Sequence, residues 1–307
     1  MHYYGILENN MSYHILHIAD YGCKLTKERG LLVCRKDNSV LGKIALEDLR
    51  AVVLLNETVS ISGAIMSTLA DYDALIIHCK NFKPVGTTIP NNRTYDARVV
   101  LNQCAGNKNL NTAIWRRLLL AKVQNNVSCL NRIGVKNFRL AQMVKLPIAE
   151  INEAWCAKEY WKHYFPALGE YGQRRNPTDE NSPINTYLNY GYGIMGGIIH
   201  RSIIVAGLNY LLGVNHKTYY KNTPLVYDLI EPFRAFVDFA LYKYITSIDV
   251  PNIRTWAIYF GKFLKDFRVK KNTRSIKLID ASDIICESLA NVYRNKKADN
   301  LWIPLLN

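Results

Sequence analysis

The sequence predicts an α+β protein in which a small, mainly β N-terminal domain (residues 1–90) precedes a larger all-α, basic domain (residues 91–307). Three observations support this. Short runs of β-branched and aliphatic residues fill the first 90 positions, and apolar residues recur at helical spacing beyond them. The excess of positive charge lies almost entirely in the second part. With 307 residues, 49% of them hydrophobic, the chain is long enough to bury a core.

Four short apolar runs predict the strands of the N-terminal domain, and polar turn residues separate them. A segment that begins with serine and has helical spacing, SISGAIMSTLADYD (60–73), predicts a helix between two strands. Hairpin-like spacing ahead of it favours a mainly antiparallel sheet, although a local parallel βαβ unit stays open. The strand runs are YHILHI (13–18), GLLVCR (30–35), AVVLLN (51–56) and ALIIHC (74–79).

A turn-rich junction, KPVGTTIPNN (83–92), leads into the helical part. The most apolar stretch, residues 193–214, is interrupted by His200, Arg201 and Asn209, which are costly in lipid. We therefore expect a buried helix and no membrane span. The predicted helical segments are 93–105, 111–134, 151–165, 184–211, 231–245 and 282–295.

Charge and cysteine usage indicate the partner and the compartment. The net charge is +14, and residues 96–307 carry 29 basic and 16 acidic side chains, a net of +13. This asymmetry predicts that the second part binds a polyanion, with nucleic acid favoured over an unspecific basic surface. The chain has seven cysteines, and no two of them have CxxC spacing, so we expect reduced thiols and a cytoplasmic location.

Carboxylates in two separate segments are candidates for a metal site. Glu153 lies on a helical stripe with Ala157, Tyr160 and Tyr164, where a charge must be exposed, paired or coordinated. An acid at a helix N-terminus that is stabilised by the helix dipole is the simpler alternative. In VYDLIEPFRAFVD (226–238), the acids also resemble a helix start, with an aspartate cap and a proline in the first turn.

His216 stands in a polar loop fifteen residues before Glu231, with Asp228 between them. A loop histidine is often merely exposed. One imidazole combined with carboxylates from separate helices nevertheless suits Mg²⁺ or Mn²⁺ better than structural zinc. Basic residues surround these candidates along the chain, and the run KFLKDFRVKKNTRSIK (262–277) interleaves phenylalanine with lysine and arginine, as phosphate-contacting segments or solvated helix faces do.

Three ordered motifs resemble those of the CRISPR-associated integrase family Cas1. They are EAWCAKEYW (153–161), NTYLNYGYGIM (185–195), and GVNHKTYYKN (213–222) followed by VYDLIEPFRAFVD (226–238). The order, the spacing and the β-then-helical layout agree with the family. The chain length and the EPFR sequence (231–234) of the last motif most resemble members from type II systems.

The resemblance implies that Glu153, His216 and Glu231 bind the metal and that Asp228 is a second acid near the site. It also implies a homodimer formed through the β domain and a Cas2 partner. The expected reaction is metal-dependent transesterification, in which the 3′-hydroxyl of a short double-stranded DNA fragment attacks a CRISPR repeat. Together with the basic segments, the expected DNA contacts are Arg174, Arg175, Asn189, Tyr190, Lys217, Lys221, Tyr227, Lys270 and Lys271.

The sequence departs from the family pattern at two positions. Asn215 stands where many members have a second histidine, and Gly196 stands where an arginine is common. The first departure leaves the ligand position at His216 intact, and the second removes one expected DNA contact. Two other functions stay open: a stand-alone structure-selective endonuclease that uses water as the nucleophile, and a non-catalytic nucleic-acid-binding scaffold.

Overall fold

The computed structural model describes residues 14–89, 96–170, 173–179, 181–216 and 222–306, which form two compact units. The first unit contains the N-terminal strands, the helix between them and the helix Ile253–Asp266; the second contains the other helices. The boundary predicted at residues 90 and 91 lies outside the described residues, as do the first ten residues. The helix Ile253–Asp266 was predicted to belong to the C-terminal domain, but it packs with the N-terminal unit.

Strands and helices are numbered along the chain. The strands of the first unit are β1 (His14–Ile18), β2 (Lys24–Glu28), β3 (Leu31–Lys36), β4 (Ser39–Ala45), β5 (Leu49–Leu54), β6 (Ser60–Ile61), β7 (Leu75–Lys80) and β8 (Lys83–Thr88), and its helices are α1 (Gly63–Asp71) and α9 (Ile253–Asp266). The second unit contains α2 (Ala97–Cys104), α3 (Lys108–Arg132), α4 (Phe138–Met143), α5 (Glu153–Ala167), α6 (Pro183–Val205), α7 (Pro224–Ile230), α8 (Arg234–Ser247), α10 (Leu278–Asn295) and the strands β9 (Arg268–Lys271) and β10 (Arg274–Lys277).

The first unit holds two four-stranded sheets, with strand orders β1-β5-β7-β8 and β4-β3-β2-β6. The second sheet is antiparallel apart from the β2–β6 pair, but β1, β5 and β7 run parallel. The prediction of a mainly antiparallel domain is therefore wrong for the first sheet. Helix α1 carries the chain across from β5 to β7, and all six residues of β5 are buried, as is typical of a strand covered on both faces.

Helix α9 packs against β1 at a point of close approach. A Cβ at Gly261 would lie only 2.5 Å from Cε1 of His17, so only glycine leaves room for the imidazole. Burial lowers the pKa of His17 to about 4, which keeps the ring neutral in this core. The side chains of Arg254 and Asp20 form an ion pair beside this contact.

The second unit is built around α3 and α6. Helix α3 packs against α5 and α8, and α6 packs against α7, α8 and α10. The second unit is helical, as the sequence predicts, and it also contains a short antiparallel hairpin, β9–β10, which was not predicted. The Lys/Arg-rich run 262–277 divides between the end of α9 and this hairpin. In the turn of the hairpin, Asn272 adopts a positive φ.

Helix α6 is buried on nearly every side, yet it carries polar groups that the fold satisfies. Arg201 is 3% exposed and donates to Asp283 on α10 at 2.8 Å, and Ser202 donates to the same carboxylate at 2.6 Å. Among the described residues, no helix is both long enough and apolar enough to span a bilayer. All seven cysteines are free thiols, and six of them are buried.

Candidate active site

The centre of the site is an ammonium group between two carboxylates. Lys122 projects from the middle of α3, and its Nζ lies 2.8 Å from Oε1 of Glu153 and 2.7 Å from Oε2 of Glu231. The side chain of Glu231 is 7% exposed and that of Lys122 is 13% exposed, whereas that of Glu153 is 41% exposed. The site is therefore closed on the Glu231 side and open to solvent beside Glu153.

Glu153 is the first residue of α5, where Asn152 caps the helix by accepting a hydrogen bond from the backbone N–H of Trp155 at 3.0 Å. The helix-terminus alternative is therefore correct in part: the acid is in the first turn. Its carboxylate nevertheless contacts a lysine from another helix, so the position serves the site as well as the helix dipole.

Glu231 lies in a single 3₁₀ turn, Glu231–Phe233, between α7 and α8. Burial opposes its ionisation, but the charges of Arg234 and Lys122 outweigh burial and lower the pKa of this carboxyl. Arg234 donates its Nε–H to Oε1 at 2.9 Å. Oε2 contacts Lys122 as an ion pair, and among the described residues it has no well-aligned hydrogen bond.

Asp228 does not cap a helix, so the capping interpretation of VYDLIEPFR is wrong for this residue. Helix α7 begins earlier, at Pro224, and Asp228 lies inside it, fully buried. Its carboxylate accepts hydrogen bonds from three successive backbone N–H groups, those of Val214, Asn215 and His216. These contacts hold the loop that carries His216 against α7.

The imidazole of His216 is held by the same carboxylate, since Nδ1 lies 2.7 Å from Oδ1 of Asp228. This hydrogen bond raises the pKa of His216, and the negative charges of Glu231 and Glu153 raise it further against the effect of burial. The ring packs edge-on to Trp115, with centroids 6.0 Å apart, and lies 5.9 Å from the ring of Tyr227. With Nδ1 engaged, Nε2 is the nitrogen left for a ligand.

The 3₁₀ turn is anchored by Asn125, one turn after Lys122 on α3. Its side chain donates to the backbone carbonyls of Pro232 at 2.7 Å and Pro304 at 3.0 Å and accepts from the N–H of Leu306 at 2.9 Å. Lys122 and Asn125 were not predicted as site residues. Their signal was polar side chains three positions apart on a stripe of α3 that also carries Leu118 and Leu119, both buried.

A second polar cluster, formed by Asp238 of α8 and three tyrosines, lies under the site. The hydroxyls of Tyr192 and Tyr160 donate to the Asp238 carboxylate, and that of Tyr164 donates to its backbone carbonyl at 2.7 Å. Burial raises the pKa of Asp238 to about 7, although the hydrogen bonds and the charges of nearby arginines lower it. The guanidinium of Arg234 lies 4.7 Å from the ring centroid of Tyr192.

Among the described residues, no three acidic, histidine or cysteine side chains lie together as a ready metal site. The donor atoms of the site residues nevertheless suit a hard divalent cation. Glu153, Glu231 and Nε2 of His216 supply two oxygens and one nitrogen, a set suited to Mg²⁺ or Mn²⁺. The buried Oε2 of Glu231 has a lone pair available, and the space between the acids already accommodates a positive charge.

The residues expected to contact DNA have different environments. Arg175 donates to Asn185 at 2.8 Å and to Asn189 at 2.6 Å, so these groups brace the loop ahead of α6. Tyr190 is 1% exposed, and its expected contact with DNA is wrong because the ring is in the core. Arg174 and Lys270 are exposed.

Two further candidates have aromatic neighbours. Tyr227 is 37% exposed beside His216, and Lys271 lies 5.9 Å from the ring centroid of Trp302. Lys217 and Lys221 lie outside the described residues. The exposed candidates therefore remain predictions as DNA contacts.

Sequence comparisons agree on one family. The model of the family "CRISPR associated protein Cas1" matches residues 16–252. The CRISPR-associated endonuclease Cas1 1 of Saccharolobus solfataricus is 30% identical over 246 residues, covering 74% of this chain and 70% of the relative. The CRISPR-associated endonuclease Cas1 of Neisseria meningitidis is 26% identical over 235 residues, covering 74% of each.

Solved structures share the fold at low sequence identity. A casposase bound to integration product superimposes with a TM-score of 0.77 at 18% identity, covering 94% of this chain and 92% of that one. A Cas1 protein from Thermotoga maritima gives a TM-score of 0.76 at 15% identity, covering 91% of this chain and 96% of that one. Because the family model spans most of the sequence, this chain belongs to the Cas1 family of CRISPR-associated proteins.

Proposed function

We propose that this protein is a metal-dependent DNA integrase of CRISPR adaptation, which joins the 3′-hydroxyl ends of short DNA fragments to the CRISPR repeat. The observation that carries the proposal is that Glu153 and Glu231, from two separate segments, meet at Lys122. Both acids also raise the pKa of His216, and the unit that contains these residues carries the excess of basic residues. Membership of the Cas1 family supports it, as does the fold shared with a casposase bound to integration product.

In this proposal Glu153, Glu231 and His216 hold Mg²⁺ or Mn²⁺. A divalent ion at such a site stabilises negative charge on the phosphoryl oxygens and assists the attacking hydroxyl. In the reaction, the 3′ oxygen of the fragment forms a new bond to phosphorus and releases its proton, while the 3′ oxygen of the repeat strand leaves and takes up a proton.

The chain's own groups prepare this reaction. Asp228 contacts Nδ1 of His216 and so leaves Nε2 for a ligand. Arg234 balances the charge of Glu231 through Oε1 and leaves Oε2 for coordination. Exposed lysines and arginines of the second unit contact the DNA backbone.

The proposed partners are double-stranded DNA fragments, the CRISPR repeat, a second copy of this chain and Cas2. Solved structures with this fold support the proposal of Cas2 and DNA as partners, since they include a Cas6-RT-Cas1–Cas2 complex and a Cas1–DNA complex. Seven free thiols are compatible with the reducing cytoplasm as the place of action.

Glu153→Ala and His216→Ala test the proposal. We expect each variant to keep the circular dichroism spectrum and oligomeric state of the wild type and to lose strand joining in a gel assay with Mn²⁺ and a repeat-containing plasmid. Glu287→Ala, which removes an exposed acid of α10, is the matched control and should join normally. Full joining by either site variant would overturn the proposal.

A structure-selective endonuclease is the second candidate, favoured by the naming of relatives as endonucleases. It would use the same residues with water in place of the 3′-hydroxyl. Products on branched DNA distinguish the two: an integrase gives covalently joined strands, whereas a nuclease gives only shortened ones. A non-catalytic scaffold would give neither product. In that case Glu231→Ala would not reduce Mn²⁺ binding.

A further inference from the structure

Lys122 is a buried cation that the family motifs did not predict. Burial opposes its charge, but the carboxylates of Glu231 and Glu153 outweigh burial and raise the pKa of the ammonium. It contacts both acids at ion-pair distance, 2.8 Å and 2.7 Å, and comes from a third helix. Without it, two negative groups from different elements would repel each other across the site.

The ammonium contacts both of the carboxylates that would hold the metal. Its two contacts are Oε1 of Glu153 and Oε2 of Glu231, and both residues are proposed above as ligands. Lys122 and Arg234 already neutralise these two carboxylates, so a divalent ion added among them would leave an excess of two positive charges. A doubly charged ion beside the ammonium would be repelled more strongly than a single charge, because the Coulomb energy grows with the product of the charges.

We propose that Lys122 is the resident cation of this site: it holds Glu153 and Glu231 together in the metal-free protein, and a divalent ion binds by displacing its ammonium. This inference rests on the metal site of the proposed function. It makes Lys122 a positioning residue that competes with the metal for the same two oxygens.

The surroundings decide which of the two cations moves. Arg234 is held by the hydrogen bond to Glu231 and by the ring of Tyr192, 4.7 Å from its guanidinium carbon. The lysine has a flexible four-carbon stem, and it contacts Glu153 on the side where the site is open to solvent. The ammonium can therefore turn toward solvent while the guanidinium stays.

Lys122→Met tests the competition, because methionine fills a similar space without charge. By isothermal titration with Mn²⁺, we expect the variant to bind about tenfold or more tightly than the wild type. In EDTA its melting temperature should fall by at least about 5 °C, since two acids lose their shared cation, and saturating Mn²⁺ should restore most of that loss. Lys108→Met, an exposed lysine on the same helix, should change neither quantity.

Lys122→Arg keeps the charge and should remain close to the wild type in both measurements. If Lys122→Met does not fold, Lys122→Gln replaces it in the same titration. Mn²⁺ affinity that is unchanged or weaker in the uncharged variants would overturn the inference. If the wild type binds no Mn²⁺ and Glu231→Gln gives the same titration, the proposed metal site fails instead. The two failures are therefore distinguishable.

Discussion

Two buried carboxylates, Glu231 and Asp238, lie seven positions apart, and their pKa values shift in opposite directions. Burial alone would raise the pKa of both carboxyls. Glu231 contacts two cations directly, so its pKa is lowered and it stays ionised. Asp238 receives tyrosine hydroxyls, and arginine charges reach it only from a distance, so its pKa rises to about 7.

This difference shows that the identity of the contacting group decides the role of a buried acid. A carboxylate in contact with cations is a ready metal ligand, since a metal can replace one of the cations. A carboxyl surrounded by hydroxyl donors in the core is a structural connector among helices, here α5, α6 and α8.

Replacing each acid by its amide should give the largest contrast. Glu231→Gln removes a proposed metal ligand, and we expect strand joining to fall on the order of 1000-fold or more, the effect of losing about 4 kcal/mol of transition-state stabilisation. Asp238→Asn should stay within about threefold of the wild type, because no reacting group touches it. Initial rates on one plasmid substrate at pH 8 measure both, and equal losses in the two variants would remove the distinction.

The pH dependence of stability should reveal Asp238. Its pKa is higher in the folded protein than in the unfolded chain, so its contribution to stability is complete below about pH 4 and is lost as pH rises to about 7. Between pH 5 and pH 8 the wild type should therefore lose stability that Asp238→Asn does not lose. The difference between their free energies of unfolding should shift by about 2 to 3 kcal/mol in favour of the variant.

Urea denaturation of both proteins at the two pH values measures this gain. Comparison with the wild type cancels the titration of the other groups. A constant difference between the two proteins would mean that Asp238 titrates in the folded state as it does in the unfolded one.

Tyr192→Phe should have the smallest effect. The substitution removes the hydroxyl that donates to Asp238 but keeps the ring beside Arg234 and Arg175. We expect a loss of about 1 kcal/mol in the free energy of unfolding, with joining nearly unchanged. In the double variant with Asp238→Asn the effects of the two substitutions on the free energy of unfolding should not add, and strict additivity would show that the pair is uncoupled.

The sequence carried much of the fold, because the strand runs and the helical periodicity are local signals. The sequence did not predict the parallel pairing of β1, β5 and β7 beyond leaving a local βαβ unit open. It also did not predict that α9 packs with the first unit, since both features depend on contacts between distant segments. Three motifs predicted Glu153, His216 and Glu231 as metal ligands, and that role stays a prediction. Lys122 and Asn125 were missed because α3 carries many other lysine, arginine and asparagine residues, so their three-residue spacing does not stand out, and because their partners lie on other elements.

Gly213 lies where the loop that carries His216 packs against the buried carboxylate of Asp228, and there is no room for a side chain there. A methyl group there would lie 2.3 Å from the carbonyl oxygen of His216 and 3.0 Å from Oδ2 of Asp228, so any side chain would push the loop and the helix apart. In a saturation mutagenesis experiment this glycine should therefore be as intolerant of change as the proposed ligands. Its contribution is the volume that it leaves empty.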